Sequence, residues 1–131
     1  MSITKFEDII AWQKSQDFVV NIYEILEPVN DFDFKRQIQR ASVSISNNIA
    51  EGFERGTNPD FKRFLFIALA SNSEVKSMLY LALRLKFISQ TNFEILYGQS
   101  VEISKLNSGF IKSLNIDRLI YPLNKLNKLN N

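Results

Sequence analysis

The chain has 131 residues, 45% of them hydrophobic, and a net charge of +2, which is typical of one folded domain with its own core. The absence of cysteine and histidine excludes disulfides and thiolate metal sites, and it removes the most common general base and metal ligand. No stretch approaches the roughly 18 apolar residues of a membrane span, and no basic segment followed by an apolar one marks a secretion signal, so we expect a cytoplasmic protein without membrane contact.

The first predicted helix begins in the segment TKFE. Thr4 has the position of an N-cap, and Glu7 follows it at the spacing of a capping box. Apolar residues then recur at steps of three and four, which indicates a helix: Ile9, Trp12, Val19, Ile22 and Leu26. Pro28 ends this helix, and the segment PVNDFD is predicted to be a loop.

The second predicted helix runs from about residue 34 to residue 54 and has the clearest amphipathic pattern. At about 100° per residue, one narrow apolar stripe contains Phe34, Ile38, Ala41, Ile45, Ile49 and Gly52. The same helix contains the segment SISNNIAEG, whose small polar residues usually prefer caps and turns. Small residues in the stripe would let a neighbouring backbone approach closely, and the polar ones can bond across such a contact or to their own carbonyls.

A compact break, ERGTNPDF, separates the second helix from the third. Gly56 suits a left-handed helix end, Thr57 or Asn58 can cap the next helix, and Pro59 fits its first turn. The third helix is predicted to extend from Pro59 to about Leu85.

The third helix is apolar on nearly all sides. One face contains Phe61, Phe64, Leu65, Ala68, Val75, Leu79 and Ala82. Four further apolar residues lie on or near the opposite side and are our candidates for an oligomer interface: Phe66, Leu69, Ala70 and Tyr80. The alternative is that the aromatic residues of this second face are simply exposed to solvent.

The fourth predicted helix runs from about residue 92 to residue 116, after a second capping-box spacing between Thr91 and Glu94. Its buried face is expected to contain Phe93, Leu96, Ile103, Phe110 and Leu114. Gly98 and Gly109 weaken this helix by about 1 kcal/mol each relative to alanine, so tertiary packing must hold it.

Residues 117–131 contain Pro122 and a repeated LNK, and we expect them to form a frayed or disordered tail after a domain of residues 1–116.

These segments predict an all-α fold, because no alternation of period two persists anywhere. Four helices joined by short loops favour an antiparallel up-down-up-down bundle. Phosphate-binding glycine motifs are absent, and a bundle metal site with an ExxH motif cannot form without histidine. We therefore expect no enzyme activity, no cofactor and no metal.

Charge is distributed unevenly. Residues 1–33 carry −5 and residues 34–131 carry +7. Arg36 and Arg40 lie four residues apart on the polar side of the second helix, where like charges repel and an anion would relieve the repulsion. The nucleic-acid-binding candidates, whose guanidinium and ammonium groups suit phosphate, are Lys35, Arg36, Arg40, Arg55, Lys62 and Arg63. Salt bridges within or between subunits are the alternative, because Asp and Glu residues are interspersed.

The segment QIQRASVSISNNIAEGFERGTNPDFKRFLFIALASNSEV, residues 37–75, resembles the signature of the proteins encoded in 23S ribosomal RNA intervening sequences. The pattern RAxxSIxxNIAEG, then R and FxxFLxIAxxSxxE, is matched by Arg40, Ala41, Ser44, Ile45, Asn48, Ile49, Ala50, Glu51, Gly52, Arg55, Phe61, Phe64, Leu65, Ile67, Ala68, Ser71 and Glu74. FEDIIAWQKS resembles the first helix of that family, so the likeness covers about residues 5–115. The chain has Asn72 where the family commonly has glycine.

This resemblance implies a four-helix bundle that assembles into a ring-shaped homopentamer. Related proteins are accessory proteins of diversity-generating retroelements, which bind nucleic acid and a reverse transcriptase and are strongly basic, whereas this chain carries only +2. In such a pentamer we expect Ser44 and Asn48 to form packing hydrogen bonds. Glu51 and Arg55 would belong to a polar network at a helix end or subunit boundary.

Two functions follow as hypotheses. The first is a non-enzymatic homo-oligomer that binds RNA or a nucleoprotein partner through basic patches. The second is an oligomeric protein-interaction scaffold, for example an accessory protein of a nucleic-acid-processing enzyme, without direct contact to nucleic acid. An enzyme is the remaining alternative, and it would require a deep polar pocket with converging carboxylates.

Overall fold

The computed structural model describes residues 3–116, so the predicted tail at 117–131 lies outside the described residues. A short 3₁₀ turn at Phe6–Asp8 precedes four α-helices. These are α1 at Ile10–Leu26, α2 at Phe32–Glu54, α3 at Asn58–Arg84 and α4 at Gln90–Ile116. Residues 3–116 contain no strand, and the prediction of an all-α fold with four helices is confirmed.

The four helices enclose one hydrophobic core. Each helix packs against the next one in the chain, and α4 also contacts α1. The stripe predicted on α2 is buried along its whole length, from Phe34 to Gly52. On α4, four of the five residues predicted for the buried face are buried, and Phe110 is partly buried against the core.

Within residues 3–116, none of the helices combines the length and the apolarity needed to span a bilayer.

Helices α2 and α3 approach each other closely at Gly52. A Cβ added to Gly52 would lie 2.5 Å from Cβ of Phe64 and 3.2 Å from Cδ1 of Phe61. A Cβ atom essentially never lies within 3.0 Å of another heavy atom to which it is not bonded, so only glycine fits this approach without a shift of its neighbours. The expectation that a small residue in the stripe permits close helix contact is confirmed here.

The predicted start of the first helix is wrong. Thr4 and Glu7 form no capping box, because the backbone makes a 3₁₀ turn at Phe6–Asp8 and α1 begins only at Ile10, after Ile9 in an extended conformation. Ile9 nevertheless belongs to the core, with only 1% of its surface exposed.

The starts of α2 and α4 also differ from the predictions. Asp31 caps α2, and its Oδ1 accepts a hydrogen bond of 3.1 Å from the backbone N–H of Phe34. The helix therefore begins at Phe32, two residues before the predicted start and within the segment that was predicted to be a loop. Ser89 rather than Thr91 caps α4, since its Oγ accepts from the N–H of Asn92 at 3.1 Å. Local side-chain caps therefore set both boundaries.

Two left-handed residues end the central helices. Gly56 (φ 84°) follows α2, as the sequence predicted. Of the two predicted cap candidates, Thr57 rather than Asn58 caps α3, its Oγ1 accepting from the N–H of Asp60 at 3.2 Å. Lys86 (φ 62°) follows α3. The next residue, Phe87, donates its N–H to the carbonyl of Ala82 at 2.8 Å, which is the long bond of a Schellman motif.

Candidate nucleic-acid interface

The polar residues of SISNNIAEG divide into bonded and solvent-facing groups. Asn48 donates from Nδ2 to the carbonyl of Ser44 at 2.7 Å and to its Oγ at 2.9 Å. The Ser44 and Ser71 hydroxyls lie 2.9 Å apart and join α2 to α3. The expectation that Ser44 and Asn48 form packing hydrogen bonds is confirmed within a single chain. Asn47, by contrast, is exposed, and its side chain makes no hydrogen bond to the described residues.

Asn72 forms the corresponding bridge between α3 and α4. It is fully buried, and its Nδ2 donates to the carbonyl of Ser100 at 2.9 Å and to Oγ of Ser104 at 2.8 Å. The Ser100 hydroxyl donates to its Oδ1 at 2.7 Å. Asn72, which stands where the resembled family commonly has glycine, therefore forms a fully hydrogen-bonded polar link between α3 and α4.

Arg36 and Arg40 lie on the outer ridge of α2 between two open surface grooves of about 550 Å³ each. One, here called the α1–α2 groove, is lined by Tyr23, Arg36, Gln39, Arg40, Val43, Ser44, Asn47 and Asn48. The other, the α2–α3 groove, is lined by Asp33, Arg36, Gln37, Arg40, Ala41, Ser44, Ser71 and Glu74. Both arginines are exposed, and neither forms an ion pair with any described residue.

The two grooves share the same arginines but differ in electrostatic character. Two carboxylates, Asp33 and Glu74, line the α2–α3 groove, and Gln37 donates to Glu74 at 3.4 Å. The described residues that line the α1–α2 groove include no carboxylate. An anion held by Arg36 and Arg40 would be repelled by the carboxylates of the α2–α3 groove but by none in the lining of the α1–α2 groove. The α1–α2 groove is therefore the more favourable side for a phosphate.

Arg55 and Arg63, at the connection of α2 to α3, are already paired. Arg55 bonds the carboxylate of Glu51 at 3.2 Å, and Arg63 lies 3.7 Å from that of Asp60. Both guanidinium groups also sit over the ring of Phe64, at 5.1 and 4.7 Å from its centroid. The proposed polar pair of Glu51 and Arg55 is present at this helix end, and the alternative of intramolecular salt bridges applies to these two arginines.

Lys35 and Lys62 make local contacts as well. Lys35 donates from Nζ to the carbonyl of Glu27 at 3.0 Å and lies 5.7 Å from the centre of the Phe32 ring. Lys62 donates to Oδ1 of Asn115 at 2.6 Å. The six basic candidates thus do not form one patch: Arg36 and Arg55 are separated by about 28 Å along α2, at 1.5 Å per residue.

The four interface candidates of α3 are not equally accessible. Phe66 is 56% and Tyr80 49% exposed, and Ala70 is also exposed. Leu69 is partly buried and packs against the core. Three more exposed apolar residues, which the sequence reasoning did not include, extend this face: Ile67, Leu81 and Leu85.

Aromatic contacts join this face of α3 to α4. The Tyr80 ring centroid lies 5.2 Å from that of Phe93 and 5.7 Å from that of Tyr97, while Nζ of Lys76 lies 5.7 Å from the centre of the Tyr97 ring. The neighbouring Tyr97 side chain, together with some desolvation, raises the pKa of Tyr80 above its ordinary value. A tyrosine is already neutral at physiological pH, so Tyr80 suits an uncharged contact surface.

Sequence reasoning missed Tyr23, Gln39 and Asn47, which line the α1–α2 groove. A signal existed for the two amides, because residues 36, 39, 43 and 47 follow each other at steps of three and four and so share one side of α2 with Arg40. Tyr23 belongs to α1. Only helix packing brings this tyrosine beside the arginines, so no pattern within α2 could predict it.

Residues 3–116 form an all-α protein of the four-helix class, with two exposed arginines beside an open groove and an exposed apolar face on α3. Among residues 3–116, no group of three or more carboxylates is placed to hold a metal ion. Residues 7–109 match the family model of the 23S rRNA-intervening sequence protein, and the chain belongs to this family.

A solved structure supports the same assignment. The chain is similar to a protein of unknown function from the S23 ribosomal protein family of Bacteroides thetaiotaomicron, with 32% sequence identity and a TM-score of 0.73. The match covers 79% of this chain and 99% of the other. A search of curated proteins found no match.

Proposed function

We propose that this protein is a non-enzymatic, self-assembling RNA-binding protein, whose primary RNA contact is the pair Arg36 and Arg40. The observation that carries the proposal is that these two guanidinium groups are neighbours on an open groove and have no ion-pair partner in the described chain. Arg55 and Arg63, in contrast, are paired.

The chemistry of the pair suits phosphate. Two like charges at positions i and i+4 of a helix repel by a few tenths of a kcal/mol, and an anion between them removes this cost. Guanidinium groups bind phosphate through two parallel hydrogen bonds. The groove is open and mainly polar, unlike the mostly apolar, enclosing pockets that hold small molecules, so a polymer that runs along the surface is the better occupant. We propose that the protein acts in the cytoplasm, where an RNA ligand would be available.

Self-assembly is the second part of the proposal. It is supported by the exposed apolar face of α3, where Phe66, Tyr80 and Leu81 are each between 45% and 56% exposed. We propose an up-down-up-down bundle that uses this face to form a closed ring, with five subunits as the expected number. A ring places several copies of the Arg36–Arg40 pair on one particle and compensates for the low net charge of each chain.

Titration of a labelled RNA hairpin between about 50 and 200 mM salt tests the RNA contact. The double variant Arg36→Gln/Arg40→Gln should bind more weakly, and loss of two phosphate contacts should reduce the slope of log K against log salt by about 1.4–1.8. The control Arg84→Gln/Lys105→Gln removes the same charge from exposed positions outside both grooves and should retain most of the affinity.

Failure of the wild-type protein to bind the hairpin at the lowest salt would reject the proposal. An equal loss in both double variants would reject the specific role of Arg36 and Arg40, since net charge alone would then explain binding.

A protein-interaction scaffold without RNA contact is the second candidate. The aromatic contacts of Tyr80 with Phe93 and Tyr97 at the surface favour it, because aromatic residues are enriched at protein interfaces. A partner that remains bound to the immobilised protein after nuclease treatment and at high salt, with no hairpin binding, would support this function instead.

A further inference from the structure

The α1–α2 groove differs from a simple phosphate-binding patch, because it combines three kinds of side chain. Arg36 and Arg40 supply positive charge, Gln39 and Asn47 supply amides, and Tyr23 supplies an aromatic ring that is 47% exposed. Proteins that bind single-stranded RNA use this combination: guanidinium groups for the backbone, aromatic rings for stacking and amides for base edges.

The amides of this region are not equivalent. Asn48 uses its Nδ2 to bond Ser44, whose hydroxyl also contacts Ser71, so these residues support the helices. The side chains of Gln39 and Asn47 make no hydrogen bond to the described residues. An amide carries both donors and an acceptor, so each can pair with the edge of an unpaired base.

Short side chains line the α2 side of the groove after Arg40. Between Arg40 and Asn47 the lining residues are Val43 and Ser44, whose side chains are much shorter than that of arginine. Arg40 and Asn47 are separated by about 10 Å along the helix, at 1.5 Å per residue. Over this stretch a base can approach α2 more closely than it could over a run of long side chains.

We propose that the α1–α2 groove binds a single-stranded RNA segment, with a base stacked on Tyr23 and base edges bonded by Gln39 and Asn47. This inference rests on the proposed function, because it requires the backbone to be held by Arg36 and Arg40. A duplex does not meet these groups: its bases are stacked inward, and its deep, narrow major groove excludes side chains. The ring of Tyr23 would then have no base to contact.

Fluorescence anisotropy with three labelled ligands tests the proposal. The first is an unstructured RNA strand of about 12 nucleotides, within the usual site size of single-strand-binding folds. The second is the same strand annealed to its complement, and the third is an abasic strand with the same number of phosphates. The wild-type protein should bind the intact strand more tightly than the abasic one by roughly 5- to 150-fold, which corresponds to about 1–3 kcal/mol for one stacked base. It should also prefer the strand to the duplex.

Variants locate the contact. Tyr23→Leu should remove most of the preference for the intact strand and leave binding to the abasic strand unchanged, whereas Tyr23→Phe, which keeps the ring, should retain the preference. Asn47→Ala should weaken binding to the intact strand only. Matched controls outside the groove are Phe32→Leu, at an aromatic that is 68% exposed, and Asn30→Ala, at an exposed loop amide; both should behave like the wild type.

The outcomes separate this inference from the proposed function. Equal affinity for strand, duplex and abasic ligand, lost in Arg36→Gln/Arg40→Gln, would overturn single-strand recognition and leave phosphate binding intact. No binding of any RNA at low salt would overturn both. A poly-glutamate peptide that binds as tightly as the strand and competes with it would overturn the proposal in favour of an acidic protein partner.

Discussion

The effect of a glycine on the stability of this protein depends on the atoms that surround it. A Cβ at Gly52 would overlap Phe64, whereas a Cβ at Gly98 or Gly109 would meet no atom within 4 Å. The helix propensity of the three positions is the same in principle, so only the neighbouring helix distinguishes them.

Alanine substitutions at these glycines should therefore have opposite signs. Gly52→Ala should lower the free energy of unfolding by up to about 2 kcal/mol, because overpacking costs about 1–3 kcal/mol and the gain in helix propensity offsets only about 1 kcal/mol of it. Gly98→Ala should raise it by up to about 1 kcal/mol. Urea denaturation at one fixed protein concentration measures both values, and a stabilised Gly52→Ala variant would contradict the close contact of α2 with α3.

The two buried asparagines provide a second contrast. Asn72 satisfies its amide with Ser100 and Ser104, while neither Nδ2 nor Oδ1 of Asn107 has a partner among the described protein groups, although Asn107 is fully buried. A buried polar group stabilises a fold only when it is hydrogen-bonded.

The same substitution at both asparagines tests this difference. Asn72→Leu should cost about 3 kcal/mol, because the Ser100 and Ser104 groups lose their partner at about 1–3 kcal/mol each. Asn107→Leu should be neutral or stabilise by about 1 kcal/mol, since it replaces an unbonded amide with an apolar group. Thermal unfolding followed by circular dichroism measures both changes, and an equal loss at the two positions would show that the Asn107 amide is bonded in solution.

At the scale of the element, α3 is distinguished by two dissimilar faces. Its inner face is fully buried at Phe61, Leu65 and Ala68. Its outer face leaves Phe66 and Leu81 exposed on nearly the same side, within about 60° of each other at 3.6 residues per turn. Burial of about 100 Å² of one such side chain contributes about 2.5 kcal/mol, so a subunit contact on this face would be favourable.

The outer face of α3 should control assembly. We expect the wild-type protein to form an oligomer at micromolar concentration and Phe66→Ser/Leu81→Ser to form a smaller species with unchanged helix content, because both side chains are already half-exposed within one chain. Multi-angle light scattering after gel filtration measures the mass. The control Ile10→Ser/Phe32→Ser alters two apolar residues that are 54% and 68% exposed on other helices and should retain the wild-type mass. A monodisperse wild-type monomer would reject self-assembly through this face.

At the scale of the whole molecule, assembly and RNA binding are expected to reinforce each other. The chain carries only +2, and two of the candidate arginines are neutralised by Glu51 and Asp60. As the proposed RNA contact, one Arg36–Arg40 pair would be a weak site, whereas several pairs on one assembled particle would engage a long RNA together.

Dissociation of the assembly should weaken binding to a long RNA but not to a short one. Phe66→Ser/Leu81→Ser keeps both arginines, so its affinity for a short single strand should equal that of the wild type. Its affinity for a long RNA should fall by at least about 100-fold, the usual lower range of an avidity effect. Parallel titrations with the two RNAs measure the ratio, and equal losses for both lengths would show that the substitutions damaged the individual site.

The sequence by itself determined the four helices, the buried stripe of α2 from Phe34 to Gly52 and the break at Gly56, because helical periodicity and turn chemistry are local properties. It did not reveal that α1 begins only at Ile10, because a 3₁₀ turn at Phe6–Asp8 replaces the predicted capping box. The pairing of Arg55 with Glu51 and of Arg63 with Asp60 is local, at spacings of four and three residues. Tertiary structure alone decided which groove lacks carboxylates and that Tyr23 lies beside Arg36 and Arg40. These features depend on which faces of separate helices meet, and the pattern within one helix carries no information about the side chains that a neighbouring helix presents.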